Sequence, residues 1–222
     1  TESRVKQIMK IGLPAGFQGA IFSVSNVLIQ SSINSFGSIA MAGSTASANV
    51  EGFVYNAMNA VYQTTLSFTS QNYGAGKMDR VTKILLDCLG LVVLVGVVMG
   101  GGAVLLGPKL LQIYSSDPEV ISYGMMRMRI INGSYFLCGI MDTMVGGLRG
   151  LGYSVVPMLV SLTGACLFRV VWIFSVFAMH RTVTTLYLSY PVSWIITFTA
   201  HIICYIVIRR RMAARRKSRD EI

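Results

Sequence analysis

Long stretches of this sequence contain no charge at all. Of 222 residues only nine are acidic and nineteen basic, and these gather in a few short segments. Residues 11–50, 52–76, 88–108, 150–168 and, His201 apart, 182–208 are uncharged. A soluble domain of this size carries about a quarter charged residues, whereas this chain has 13%. Histidine is also scarce, with two in the chain, and no CxxC or HExxH is present. That leaves too few partners for a metal site or a hydrolytic triad. "QNYGAGKM" ends like a phosphate loop, but Gln71 replaces its first glycine and Met78 its final hydroxyl residue, so no nucleotide site is expected. The four cysteines, Cys88, Cys138, Cys166 and Cys204, fall in four different apolar segments and read as small packing residues. An enzyme is not expected.

What remains is an apolar chain, 53% hydrophobic with a mean hydropathy of +0.60. A helix needs about 20 mostly apolar residues to cross the hydrocarbon core. Six spans fit, over about residues 12–35, 49–73, 84–107, 120–147, 154–179 and 184–208. Short turn-rich segments join them. "SDPEV" reads as a helix start, with Asp117 as cap and Pro118 in the first turn. The fold class is therefore an all-α polytopic membrane protein, with residues 1–208 forming one six-helix lobe and residues 209–222 a basic tail. No soluble domain has room, and the first apolar run lacks the cleavage pattern of a signal peptide.

The basic residues are distributed asymmetrically. Fourteen Lys and Arg fall on one side of the spans: near the N-terminus, between spans two and three, at Arg149, and in the tail from Arg209. The other side has Lys109 and Arg181. The positive-inside rule places both termini in the cytoplasm, with the protein in the cell membrane. "RRRMAARRKSR" suits anionic lipid headgroups, and no nucleic-acid partner is expected.

The second span is the informative one. At about 100° per residue, Asn56, Asn59, Gln63, Ser67 and Ser70 share one stripe, flanked by Glu51, Tyr55 and Tyr62. The first span repeats the pattern with Ser23, Asn26, Gln30 and Asn34. Lipid cannot satisfy such stripes, so they face protein or water. A water-accessible path lined by Asn26, Gln30, Tyr55, Asn56, Met58, Asn59, Tyr62 and Gln63 is the preferred reading. A purely structural module would instead consume the amides in helix–helix contacts.

Intramembrane charges cost about 2.5–3.5 kcal/mol each, which makes Glu51, Asp142 and Arg169 functional candidates. By depth Arg169 is expected to form a structural ion pair, with Glu51 the better-placed partner. Asp142 has no basic residue within one helical turn, so it is the candidate for reversible cation or proton binding, with Glu51 second. Gly96-x-x-x-Gly100 permits close helix approach.

The landmarks "IGLPAG", "FG", "SQNYGAGK", "SDPEV", "GGLRGLGYSVVP" and "SYPVSW", in this order and spacing, resemble the C-terminal half of the multidrug and toxic compound extrusion (MATE) family across nearly the whole chain. The resemblance implies helices seven to twelve of a two-lobe, twelve-helix antiporter. Such a protein exports organic, often cationic, amphipathic compounds in exchange for Na⁺ or H⁺ and needs no other cofactor. An N-terminal six-helix lobe would be absent from this chain or supplied by another copy. Two family carboxylate positions are occupied here by Phe22 and Cys138, the latter eleven residues before Arg149; Asp142 and Glu51 are expected to substitute. The same superfamily contains lipid-linked sugar flippases. That alternative requires a cationic cleft, and Arg169 is its only mid-span candidate.

Overall fold

The computed structural model describes residues 2–220; side chains at 1–4, 7 and 215–222 lie outside the described residues, and with them part of the basic tail. Among the described residues there is no strand. The chain forms six long rods. The first three are α1 (Glu2–Asn34), α2 (Ser38–Gly74) and α3 (Met78–Leu105), and a short α4 (Gly107–Gln112) follows them. The fourth rod is α5 (Pro118–Ile131) and α6 (Tyr135–Gly150), joined by a 3-10 turn at Asn132–Ser134. The fifth runs through α7 (Val155–Ser161) and α8 (Phe168–Trp172), with π-helical turns at Leu162–Leu167 and Ile173–Phe177. The sixth is α9 (Val183–Asp220).

Turn chemistry explains the breaks. Gly37, Gly76 and Gly152 have φ of 98°, 72° and 86°, backbone that side-chain-bearing residues resist. The cap expected at Asp117 is present: its Oδ1 accepts a 2.8 Å bond from the Glu119 amide. The division of the fourth rod was not anticipated. Ser134 Oγ donates to the carbonyls of Ile130 and Ile131, at 2.6 and 3.3 Å, and so competes with the helical ladder at that point.

Among the described residues four helices are long and apolar enough to cross a membrane: Ile8–Asn34, Met78–Leu105, Val155–Phe177 and Val183–Ala214. The α2 rod and the α5–α6 rod reach the length but not the apolarity. These two rods pack against each other and against α3; part of their polar surface is covered in this way, while Asn56, Gln63, Ser67 and Ser70 of α2 stay exposed. One face of α2 supplies core, with Val50, Val54, Met58 and Val61 buried against Cys88 and Val92 of α3. A second core lies where α1, α6 and α9 meet, around Ile29, Ile33, Cys138, Leu186 and Tyr187.

The expected close approach of α3 is present. A Cβ at Gly96 would lie 2.7 Å from Phe136 Cα, so α3 rests directly on the start of α6. Three bonds tie the rod ends at one side of the bundle: Arg209 donates to the Met78 carbonyl and to Thr82, and Ser154 to the Ile11 carbonyl.

Packing at Gly96 yields a direct test. Gly96→Val forces backbone apart and is expected to destabilise the lobe by about 1–3 kcal/mol. Gly101→Ala meets nothing within 4 Å and is expected to be neutral or slightly stabilising. Thermal unfolding in detergent distinguishes the two.

Candidate functional site

A cleft of about 510 Å³ opens between α1, α2, α6, α8 and α9. Each helix contributes side chains at helical spacing, so each lines the cleft with one stripe. From α1 come Gln18, Phe22 and Asn26; from α2, Glu51, Tyr55, Asn59 and Tyr62. Tyr135, Cys138, Asp142 and Arg149 come from α5's continuation in α6, Arg169 from α8, and Tyr190 and Trp194 from α9. Asn26 and Tyr55 are exposed, so the cleft reaches the surface of the bundle.

Of the expected path residues, Asn26, Tyr55, Asn59 and Tyr62 line the cleft, together with Glu51, Asp142 and Arg169. Four others do not. Gln30 lies in a separate shallow depression with Asn34, to which it donates a 3.2 Å bond along α1. Met58 is 2% exposed and belongs to the α2–α3 core, because its position lies about 60° round the helix from Tyr55, on the side that meets α3. Asn56 and Gln63 are exposed, on the outer edge of α2. The cleft-facing line through Glu51, Tyr55, Asn59 and Tyr62 is rotated by about a quarter turn from the amide stripe. Of the amide stripe, only Asn59 therefore lies on the cleft-facing line of α2.

Among the described residues Asn26, Asn56, Asn59 and Gln63 make no hydrogen bond to another helix, and Gln30 bonds within its own.

The charged groups separate into three arrangements. Glu51 is held by Arg127, not by Arg169. Its two carboxylate oxygens accept from Nε and Nη2 of Arg127, both at 2.8 Å, while Ser47 Oγ donates to Glu51 at 3.1 Å and Arg127 Nη1 donates to Ser44 at 2.9 Å. Tyr187 and Tyr190 place their rings 5.5 and 5.9 Å from that guanidinium. Every strong acceptor on Glu51 is thus engaged in a buried bidentate pair between α2 and α5. The pair was hidden in the sequence because its partners are 76 residues apart and Arg127 sits near the end of a span.

Arg149 reads from the sequence as a loop charge but belongs to the wall of the cleft. It donates through Nη1 to Tyr62 Oη and through Nη2 to Gln18 Oε1, each at 2.8 Å, bridging α6 to α2 and α1. Its place on the same helix face as Asp142 was the available signal.

Arg169 and Asp142 are the exceptions. The expected carboxylate partner of Arg169 is absent among the described residues. Instead its Nε donates to Ser193 Oγ at 3.0 Å, and its guanidinium carbon stands 4.3 Å from the Tyr190 ring centre and 5.9 Å from that of Trp194. A ring face satisfies part of the charge without supplying an acceptor. Asp142 is half-buried and has no hydrogen-bond or ion-pair partner among the described residues. Phe22 and Cys138 also line the cleft, on the same space as Asp142.

Comparison with known proteins decides the family. The MatE family model matches residues 14–175. This chain belongs to the MATE family. It is 26% identical over 159 residues to a probable multidrug resistance protein, NorM, of Thermotoga maritima, covering 72% of this chain and 34% of that protein. The solved Vibrio cholerae MATE transporter VcmN, in its bent form, superposes with a TM-score of 0.85 at 19% identity, over 95% of this chain and 48% of VcmN. The MATE transporter ClbM, solved in complex with Rb⁺, gives 0.81 at 17% identity, over 92% and 47%. These structural likenesses concern the fold. The chain spans just under half the length of the solved MATE proteins and a third of the curated relative.

The Glu51–Arg127 pair provides a stability test. Glu51→Gln leaves a buried guanidinium without its counter-charge and is expected to cost about 3–5 kcal/mol. Replacing both residues with apolar ones of similar size is expected to recover much of that loss, read as thermal unfolding of each variant.

Proposed function

We propose that this MATE chain is one lobe of a two-lobe secondary antiporter, with all six rods crossing the cell membrane and both termini cytoplasmic. The lobe contributes half of a central cleft through which amphipathic organic compounds leave the cell in exchange for Na⁺ or H⁺. The observation that carries this reading is Asp142: an intramembrane carboxylate without a partner, opening on the cleft. Retaining such a group costs several kcal/mol unless it binds a cation or proton. Glu51, already saturated by Arg127, acts here as a structural support.

The exposed polar edge of α2, with Asn56, Gln63, Ser67 and Ser70, supports a second lobe. Lipid would leave those groups unsatisfied, whereas a facing lobe or a water-filled gap between lobes would not. The curated relative's name, a multidrug resistance protein, and the Rb⁺ complex of a solved neighbour agree with drug export and a monovalent coupling ion. The chain would then correspond to helices seven to twelve.

A second reading, a flippase for a lipid-linked sugar, is favoured by Arg169, which lies in the cleft without a carboxylate.

The test is Asp142→Asn in the protein as its own cell makes it, reconstituted in proteoliposomes with an imposed Na⁺ or pH gradient. Gradient-driven efflux is expected to fall to near the protein-free background while the protein stays monodisperse. Efflux that persists with unchanged ion dependence would remove Asp142 from the mechanism.

A further inference from the structure

Three guanidinium groups stand in or behind the cleft, and only one has unused donors facing it. Arg127 is saturated by Glu51 and Ser44, and Arg149 is engaged through both Nη groups with Tyr62 and Gln18, its one partnerless donor, Nε, being buried away from the cleft. Arg169 gives only its Nε–H to a protein acceptor, Ser193. Its Nη1 and Nη2 groups have none among the described residues, although the residue is 3% exposed and lines the cleft. A buried cation with idle donors is costly unless a ligand completes it.

The surroundings fix how such a ligand would bind. The guanidinium rests on the Tyr190 ring, which keeps its plane in place and leaves the donor-bearing edge free. Beside it Trp194 packs against both Tyr190 and Tyr135, at centroid distances of 5.8 and 5.5 Å, forming an apolar wall. A planar fork of N–H donors suits a carboxylate, sulfonate or phosphate, and the aromatic wall suits a flat apolar body.

We propose that Arg169 is the anion-binding residue of the cleft, and that the transported compound carries an anionic head beside an apolar or aromatic body. This rests on the reading of the cleft as the substrate path and departs from the organic-cation expectation. An inside-negative membrane potential favours outward movement of such an anion.

Binding, rather than transport, tests it. The detergent-purified protein, as its own cell makes it, is titrated calorimetrically with naphthalene-2-sulfonate and with 2-naphthyltrimethylammonium, which share a ring system and differ in the sign of charge. The expected result is preference for the sulfonate by at least about tenfold, lost in Arg169→Gln and largely kept in Arg169→Lys. Competition by phosphatidic acid in mixed micelles would identify a lipid headgroup as the natural source, and its failure a soluble anion. Equal or tighter binding of the ammonium by the unmodified protein overturns the proposal even if the variants fail to fold. So does sulfonate binding unchanged in a folded Arg169→Gln. Absence of ion-driven efflux by the unmodified protein, with sulfonate binding intact, would refute the antiporter reading and leave this one standing.

Discussion

Inside a bilayer every polar group must meet protein or water, and α2 is arranged around that constraint. One of its faces, Val50 to Val61, is committed to the α3 core. Another lines the cleft through Glu51, Tyr55, Asn59 and Tyr62. The remaining edge stays polar and exposed. No single arrangement of lipid satisfies three such surfaces on one rod. The rest of the lobe is organised to protect it: α3 and the α5–α6 rod cover its flanks, and the apolar rods form the outer boundary.

Within this arrangement the charged residues divide by whether the fold completes them. The Glu51–Arg127 pair is complete; its hydrogen bonds close among α2, α5 and two serines, and it fixes the relative position of those helices. Arg149 is met at Nη1 and Nη2 by neutral partners, and its Nε is buried without one. Asp142 and the Nη groups of Arg169 are unmet among the described residues, and both open on the same space. A structural role accounts for the first two. It does not account for a carboxylate and a guanidinium left apart when pairing would have stabilised both.

Much of the fold was legible because membrane-length apolar runs and glycine-marked turns are local signals. The breaks within rods were not, since the 3-10 turn near Ser134 and the π turns around Arg169 arise from side-chain and tertiary contacts. In the site, periodicity identified α2 and Asp142, but long-range partners escaped it. Arg127 and Glu51 find each other only through the packing of α2 on α5. Met58 was misplaced for a related reason: its helix face is decided by what α3 presents, which residue type does not reveal. Asn56 and Gln63 lie on the exposed edge of α2 and not in the cleft of this lobe.

The fifth rod has one further mechanical implication. Arg169 sits on a stub of ordinary helix between two π-helical turns, at Leu162–Leu167 and Ile173–Phe177. A π turn is in effect one inserted residue, and such insertions can migrate along a helix by exchanging backbone bonds locally. Passage of either one across the stub would swing the azimuth of Arg169 by about 100°, withdrawing its charge from the cleft while the neighbouring rods stayed where they are.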